Sequence, residues 1–325
     1  MPPAATASFG APESKPTAFS VSYVTSNLSR VDDVLVYAHM DDVVYVNAKH
    51  TPYATHKLPI TDKSFVHQTR VCRLAGTVFV VVTSDNGAQI FDEKGEQRLH
   101  DLVLKDLVEE EEGAASFCRG ICAINSDRPA IIVGASCGKV FVLAKEASSK
   151  SDHSFDLVET LTDQTEPIHS IDSPTDGALL ASSDDSGTIL VRNPDDAFVV
   201  ARSIPGGGFP ATSIRFTPNN WLVSAYITGT IRIFRKNDFH VHAEIAAHSR
   251  AITALDVYED RLVSVGEDTF LNVWEIDGEK DTPRFKLTSS QSVTNDLLVG
   301  VAMVNPKKVF TTSYDTTHLK LWVAE

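Results

Sequence analysis

The stretch that decides the fold is residues 248–274, HSRAITALDVYEDRLVSVGEDTFLNVW. Its polar residues fall at fixed offsets: His248 ahead of one apolar run, Ser264 inside the next, Asp268 in the following turn and Trp274 six residues on. The apolar runs are short and β-branched, as in antiparallel strands. This spacing fits a small four-stranded sheet whose ends are tied together by side chains. Asp268 accepts a hydrogen bond from His248, the other ring nitrogen reaches Ser264, and the Ser264 hydroxyl accepts from the Trp274 indole N–H. Every buried group then has a partner, and the carboxylate fixes the imidazole tautomer. Ser, His and Asp could also form a nucleophilic triad. Here the serine sits inside a strand and is engaged by the indole, so a structural tetrad is expected and no catalytic residue.

One four-stranded sheet is only marginally stable, so further copies are needed. The turn joining the two middle strands, b and c, provides the ruler. It recurs at Asp42, Asn86, Cys137, Ser186, Thr228, Asp268 and Asp315, with spacings of 44, 51, 49, 42, 40 and 47. Gly follows at Gly87, Gly138, Gly187 and Gly229, supplying the positive φ of a tight hairpin. A period of roughly 40–45 residues with four strands each marks a propeller, and seven turns give seven blades. The two longer intervals hold Glu109–Glu112, a candidate docking element, and the polar loop 145–154.

Only blade six carries the full tetrad. In blade seven Trp322 stands seven residues after Asp315, with Thr311 in the serine place; elsewhere the Trp position holds Phe91, Leu143, Arg192 and Phe234. Those blades are expected to rely on apolar packing alone. Trp322 closes a third strand three residues before Glu325, so the last blade needs an outer strand from elsewhere, because an open edge is a liability. Phe19–Thr25, FSVSYVT, alternates correctly and is expected to supply it. The fold class is therefore all-β: a seven-bladed propeller closed by an N-terminal strand. Residues 1–17, rich in Pro, Ala, Ser and Thr, are expected to be a disordered tail before a single domain at 18–325.

The full sequence has 29 Lys and Arg against 43 Asp and Glu, a net charge of −14. That argues against phosphate-backbone recognition of nucleic acid and against anionic membranes, and leaves proteins as partners. No apolar run is long enough to insert in a bilayer. Cys72, Cys118, Cys122 and Cys137 show no zinc or secreted spacing and are read as reduced thiols of a cytoplasmic protein. Neither a metal nor another cofactor is expected. His240 and His242 share a strand face without a third ligand. Gly134–Val140 is one residue short of a phosphate loop and precedes a strand instead of a helix.

The segments FCRGICA (117–123), SDDSG (183–187), IPGGGFP (204–210), AHSRAITALD (247–256) and SVGEDTFLNVW (264–274) resemble, in this order along the chain, the WD40 family of WD repeat-containing protein fifty-four. The resemblance covers blades two to six and the start of blade one. It implies a single WD40 propeller and a non-enzymatic cytoplasmic interaction protein. A ciliary or cytoskeletal setting follows by analogy only.

The leading functional reading is a scaffold or adaptor, acting through the face built from d–a connections and b–c turns. By repeat position that face should carry Arg70, Arg119, Glu166, Phe209 and Arg250, with Asp85, Asp185 and Glu267. The alternative is a reader of basic or modified peptides in the channel, which needs an aromatic cage at its mouth. An enzyme, a small-molecule substrate and nucleic acid are the readings disfavoured.

Overall fold

The computed structural model describes residues 9–61, 63–109, 115–145, 154–279 and 282–324. Seven four-stranded antiparallel sheets form the ring, six of them paired in chain order from strand a to strand d. Blades one to six occupy 29–57, 66–103, 118–161, 168–204, 211–246 and 252–292. The seventh takes three strands from 298–323 and its outer strand from Glu13–Pro16. The b–c turns fall where the spacing placed them, except that Asp42 opens strand c of blade one. Gly87, Gly138, Gly187 and Gly229 all have positive φ.

An N-terminal strand does close the ring as expected, but the segment that supplies it needs correcting. The closing strand is Glu13–Pro16, paired with His318–Leu321, and Phe19–Thr25 forms no strand. ESKP has no hydrophobic pattern because an outermost strand needs only its backbone ladder; its side chains form a Glu13–Lys15 ion pair at 2.6 Å. The alternation in FSVSYVT has another cause: Val21 is buried under blade one while Tyr23 is exposed. The expected disordered tail, 1–17, thus overlaps this strand. Phe9 is 2% exposed and bridges Ala324, while residues 1–8 lie outside the described residues. So do Glu110–Glu112 and 146–153, most of the two long loops.

Seven apolar clusters hold the ring, each shared by two adjacent blades. Packing is not the sole support of the imperfect blades. Inner strands are also stitched across their interfaces by side chains. Thr212 donates to Ile252 O at 2.6 Å and Thr253 to Leu298 O at 2.7 Å. Gln68 accepts from Gly120 N at 2.9 Å and Ser170 from Ile214 N at 3.1 Å. In blade four the fully buried Arg192 takes the indole's place, donating to Ser182 Oγ at 2.8 Å and reaching Asp163 at 3.3 Å. Gln164 acts there as the histidine does in blade six, bonding both Ser182 and Asp184. Blade four therefore keeps a polar network built from other residue types.

A second regularity positions the functional side chains. In blades two to seven the innermost strand carries a bulge directly after its first residue. A bulge locally re-aims the strand. The second residues of these strands are His67, Arg119, His169, Thr212, Thr253 and Val299, and the fifth are Arg70, Cys122, Asp172, Arg215, Asp256 and Ala302. The two layers lie near opposite ends of the channel.

Candidate protein-interaction face

The tetrad residues come together in blade six. His248 Nδ1 lies 2.9 Å from Asp268 Oδ1, Nε2 lies 2.8 Å from Ser264 Oγ, and the Trp274 indole N–H donates to the same oxygen at 3.2 Å. Asp268 also accepts from Ser249 N at 2.9 Å. Burial raises its pKa, but the hydrogen bond to His248 leads the effects that leave it below the usual carboxylate range. In blade seven the Trp322 indole donates to Thr311 Oγ1 at 3.0 Å.

The loop face sits above the bulges. Arg119, second in its strand, crosses to blade four and binds Asp185 at 2.7 Å. His169 joins the same carboxylate at 2.9 Å. Burial opposes the Asp185 charge, yet His169 and Arg119 hold its pKa low; burial pushes His169 itself down. His67 pairs with Asp85 at 2.7 Å, stacks on Phe117 at 4.3 Å, and meets the edge of Phe65 at 5.2 Å. Arg119 lies over the same Phe117 ring at 5.4 Å. That aromatic group is therefore occupied by the protein's own cation and is not an empty cage.

On the opposite rim, Arg250 approaches Glu267 at 3.4 Å, Glu267 accepts from the Tyr23 hydroxyl, and Tyr23 packs edge-on against Tyr314. Residues 23–27 run across the channel mouth: Thr25 reaches His169 at 3.4 Å, Ser26 N bonds Thr253 O, and Asn27 N bonds Val299 O. Glu166 and Phe209 are exposed in the connections into blades four and five.

Arg70 is the misplaced candidate. It is the fifth residue of its strand, not part of a loop, and lies toward the other end of the channel, bonded to Asp172 at 2.8 Å. Counting back from the b–c turn overlooked the length of Val66–Leu74, nine residues with a bulge; the residue equivalent to Arg119 is His67. His67, His169, Phe65, Phe117, Tyr23 and Tyr314 were not singled out from the sequence. The signal for them was register: aromatic and imidazole residues flanking Asp85, Asp185, Glu267 and the b–c turns.

The distribution of exposed apolar side chains separates this face from the rest. All the exposed large aromatics among the described residues, Tyr23, Phe65, Phe209, Phe270 and Tyr314, lie here, with Met40 and Ile227. The exposed aliphatics on the perimeter, such as Leu157, Val199 and Val241, are on outer strands.

Comparison with known proteins accords with this architecture. The mitotic checkpoint complex crystal structure contains a chain that superposes with a TM-score of 0.73, covering 96% of this chain and 90% of that one at 16% identity. At that identity the likeness shows the fold alone. Human and mouse WD repeat-containing protein 54 are each 30% identical over 218 residues, and the rat protein is 29% identical. The alignments cover 65% of this chain and 63% of the length of those relatives. The family model WDR54 matches residues 43–321. This chain belongs to the WDR54 family of WD40 propellers.

Proposed function

We propose that this propeller is a non-enzymatic scaffold that binds partner proteins through the loop face. The observation that carries this reading is the gathering on that one face of every exposed large aromatic side chain among the described residues. Aromatic residues with arginine characterise the energetic centres of protein interfaces. The face is a rim rather than a pocket, and its charges are mostly paired internally, which suits a flat protein surface better than a small ligand. A modified-peptide reader would need an open cage, whereas Phe117 already carries His67 and Arg119, and residues 23–27 span the mouth. We place the protein in the cytoplasm. Its four cysteines are free, and burial pushes the Cys72 and Cys118 thiols well up.

Cross-linking mass spectrometry on the native protein should place partner links around Phe65, Phe209 and Tyr314. The double variant Phe65→Ser, Tyr314→Ser and the single variant Arg250→Glu should weaken the partner so found, and Leu157→Ser on the perimeter should not. Arg250 is the appropriate charge to reverse, because it is exposed, whereas Arg119 is committed to Asp185. Links confined to the outer strands, or undiminished binding by both face variants, would reject the scaffold face.

A further inference from the structure

The inner strands converge again at the far end of the channel, opposite the loop face, where all seven blades line a cavity of about 410 Å³. Four arginines and two carboxylates line it, although the chain as a whole carries −14. Most of this charge comes from the fifth residues of the inner strands, Arg70, Asp172, Arg215 and Asp256, with Arg30 added by blade one.

Both carboxylates are already engaged. Asp172 holds Arg70 Nη2 at 2.8 Å and accepts Phe216 N at 2.8 Å on its other oxygen. Asp256 accepts Met303 N at 2.7 Å. Arg70 directs Nη1 to Ile121 O at 2.6 Å and Ile171 O at 3.2 Å. Arg30 donates to Met303 O at 3.2 Å.

Arg215 differs from these. Among the described residues its one hydrogen bond runs to the carbonyl of its neighbour Ile214, at 2.8 Å, leaving most of its five N–H donors without a protein acceptor. Burial, and then the like charge of Arg70, push it below its ordinary range, with Asp172 and Asp256 opposing. Burial pushes Asp256 up, opposed first by Arg215 and then by the backbone N–H groups of Met303 and Val257. A half-buried guanidinium short of acceptors, with other arginines lining the same cavity, is relieved by an oxyanion, which the planar fork binds in bidentate fashion.

We propose that this cavity is an anion site, taking a compact phosphate group between Arg215, Arg70 and Arg30. Its volume accommodates a phosphate together with a small organic substituent. Entry is from the side away from the loop face, so the site stands or falls independently of the scaffold function.

The test is equilibrium dialysis of the full chain against orthophosphate and against O-phosphoserine, with ionic strength held constant by chloride. Saturable one-to-one binding of at least one probe is expected, with a rise in melting temperature that follows ligand mass action. Arg215→Met should weaken binding at least tenfold, and Arg250→Met on the other face should leave it unchanged. Where Arg215→Met does not fold, Arg215→Lys keeps the charge, loses the fork, and should still bind several-fold more weakly. Tighter binding of O-phosphoserine identifies an organic phosphate as the ligand class; tighter binding of orthophosphate identifies the free ion. No saturable binding of either probe by the native chain, or native-like binding by a folded Arg215 variant, overturns the proposal.

Discussion

Phe9→Ala tests ring closure most directly. The sequence places Phe9 in a Pro- and Ala-rich tail, residues 1–17, expected to be disordered. The structure instead buries it to 2% exposure in the cluster containing Val301, Val309, Trp322 and Ala324. Removing a phenyl ring from such a site costs about 3–5 kcal/mol from lost transfer and the cavity left behind. Near a chain end some collapse is available, so the lower part of that range is expected. At about 2 °C per kcal/mol, the scaling for large domains, the melting temperature should fall by about 6–8 °C. Phe209→Ala is the matched control: Phe209 is 51% exposed, and its truncation should stay within about 0.5 kcal/mol. Circular dichroism melts and urea titrations provide the comparison. A lower urea midpoint at unchanged slope would locate the loss in the native state. If Phe9→Ala and Phe209→Ala both melt with the native chain, Phe9 is not part of the core and ring closure through residues 9–16 is wrong.

Ser264→Ala deprives the Trp274 indole and His248 Nε2 of their common partner and should cost about 1–3 kcal/mol; a native urea midpoint would show the tetrad to be ornamental. Gly229→Ala should fail to accumulate as soluble protein, because its φ is +81° and the added Cβ would sit 2.2 Å from His248 O, whereas Gly207→Ala meets nothing within 4 Å and should express normally. The pH dependence follows from His67 and His169, both held below their ordinary range mainly by burial. The unfolded chain protonates these imidazoles below about pH 6.5 while the native state resists, so stability should fall as pH drops from 7 toward 5. Asp185 and Asp268, held low, add a loss only at more acid pH, as they protonate in the native state. His169→Asn should flatten the first decline, and a urea midpoint constant from pH 7.5 to 5 would contradict the burial of a neutral imidazole.

The fold was legible because its markers are local. A turn every 40–51 residues and one intact tetrad suffice to count blades, and those features are written in consecutive residues. What escaped was set by partners distant in the chain. ESKP is a strand only because His318–Leu321 offers it a ladder. Arg192 passes for a lost tryptophan until Ser182 and Asp163 are seen beside it. Arg70 moved from the loop face into the channel because a bulge and a nine-residue strand changed its depth. Of the remaining loop-face candidates, Arg119 and Asp185 meet, as do Arg250 and Glu267, but the aromatics beside them follow from register that no single repeat displays.

That register explains how a propeller can lose most of its tetrads and still present a defined face. The tetrad acts within a blade, whereas Thr212, Thr253, Gln68 and Ser170 act between inner strands, across the surfaces that the apolar clusters already bury. Loss of an indole in one blade therefore weakens that sheet without loosening its place in the ring. The bulged second residue of each inner strand can then vary. It is threonine in blades five and six, where it stitches to the next blade, and His or Arg in blades two to four, where it holds a turn carboxylate instead. The stitched sector keeps the ring closed and the charged sector positions Asp85, Asp185 and their aromatic neighbours. Exchange of His67 or Arg119 for threonine should accordingly preserve the fold while releasing the turn it holds.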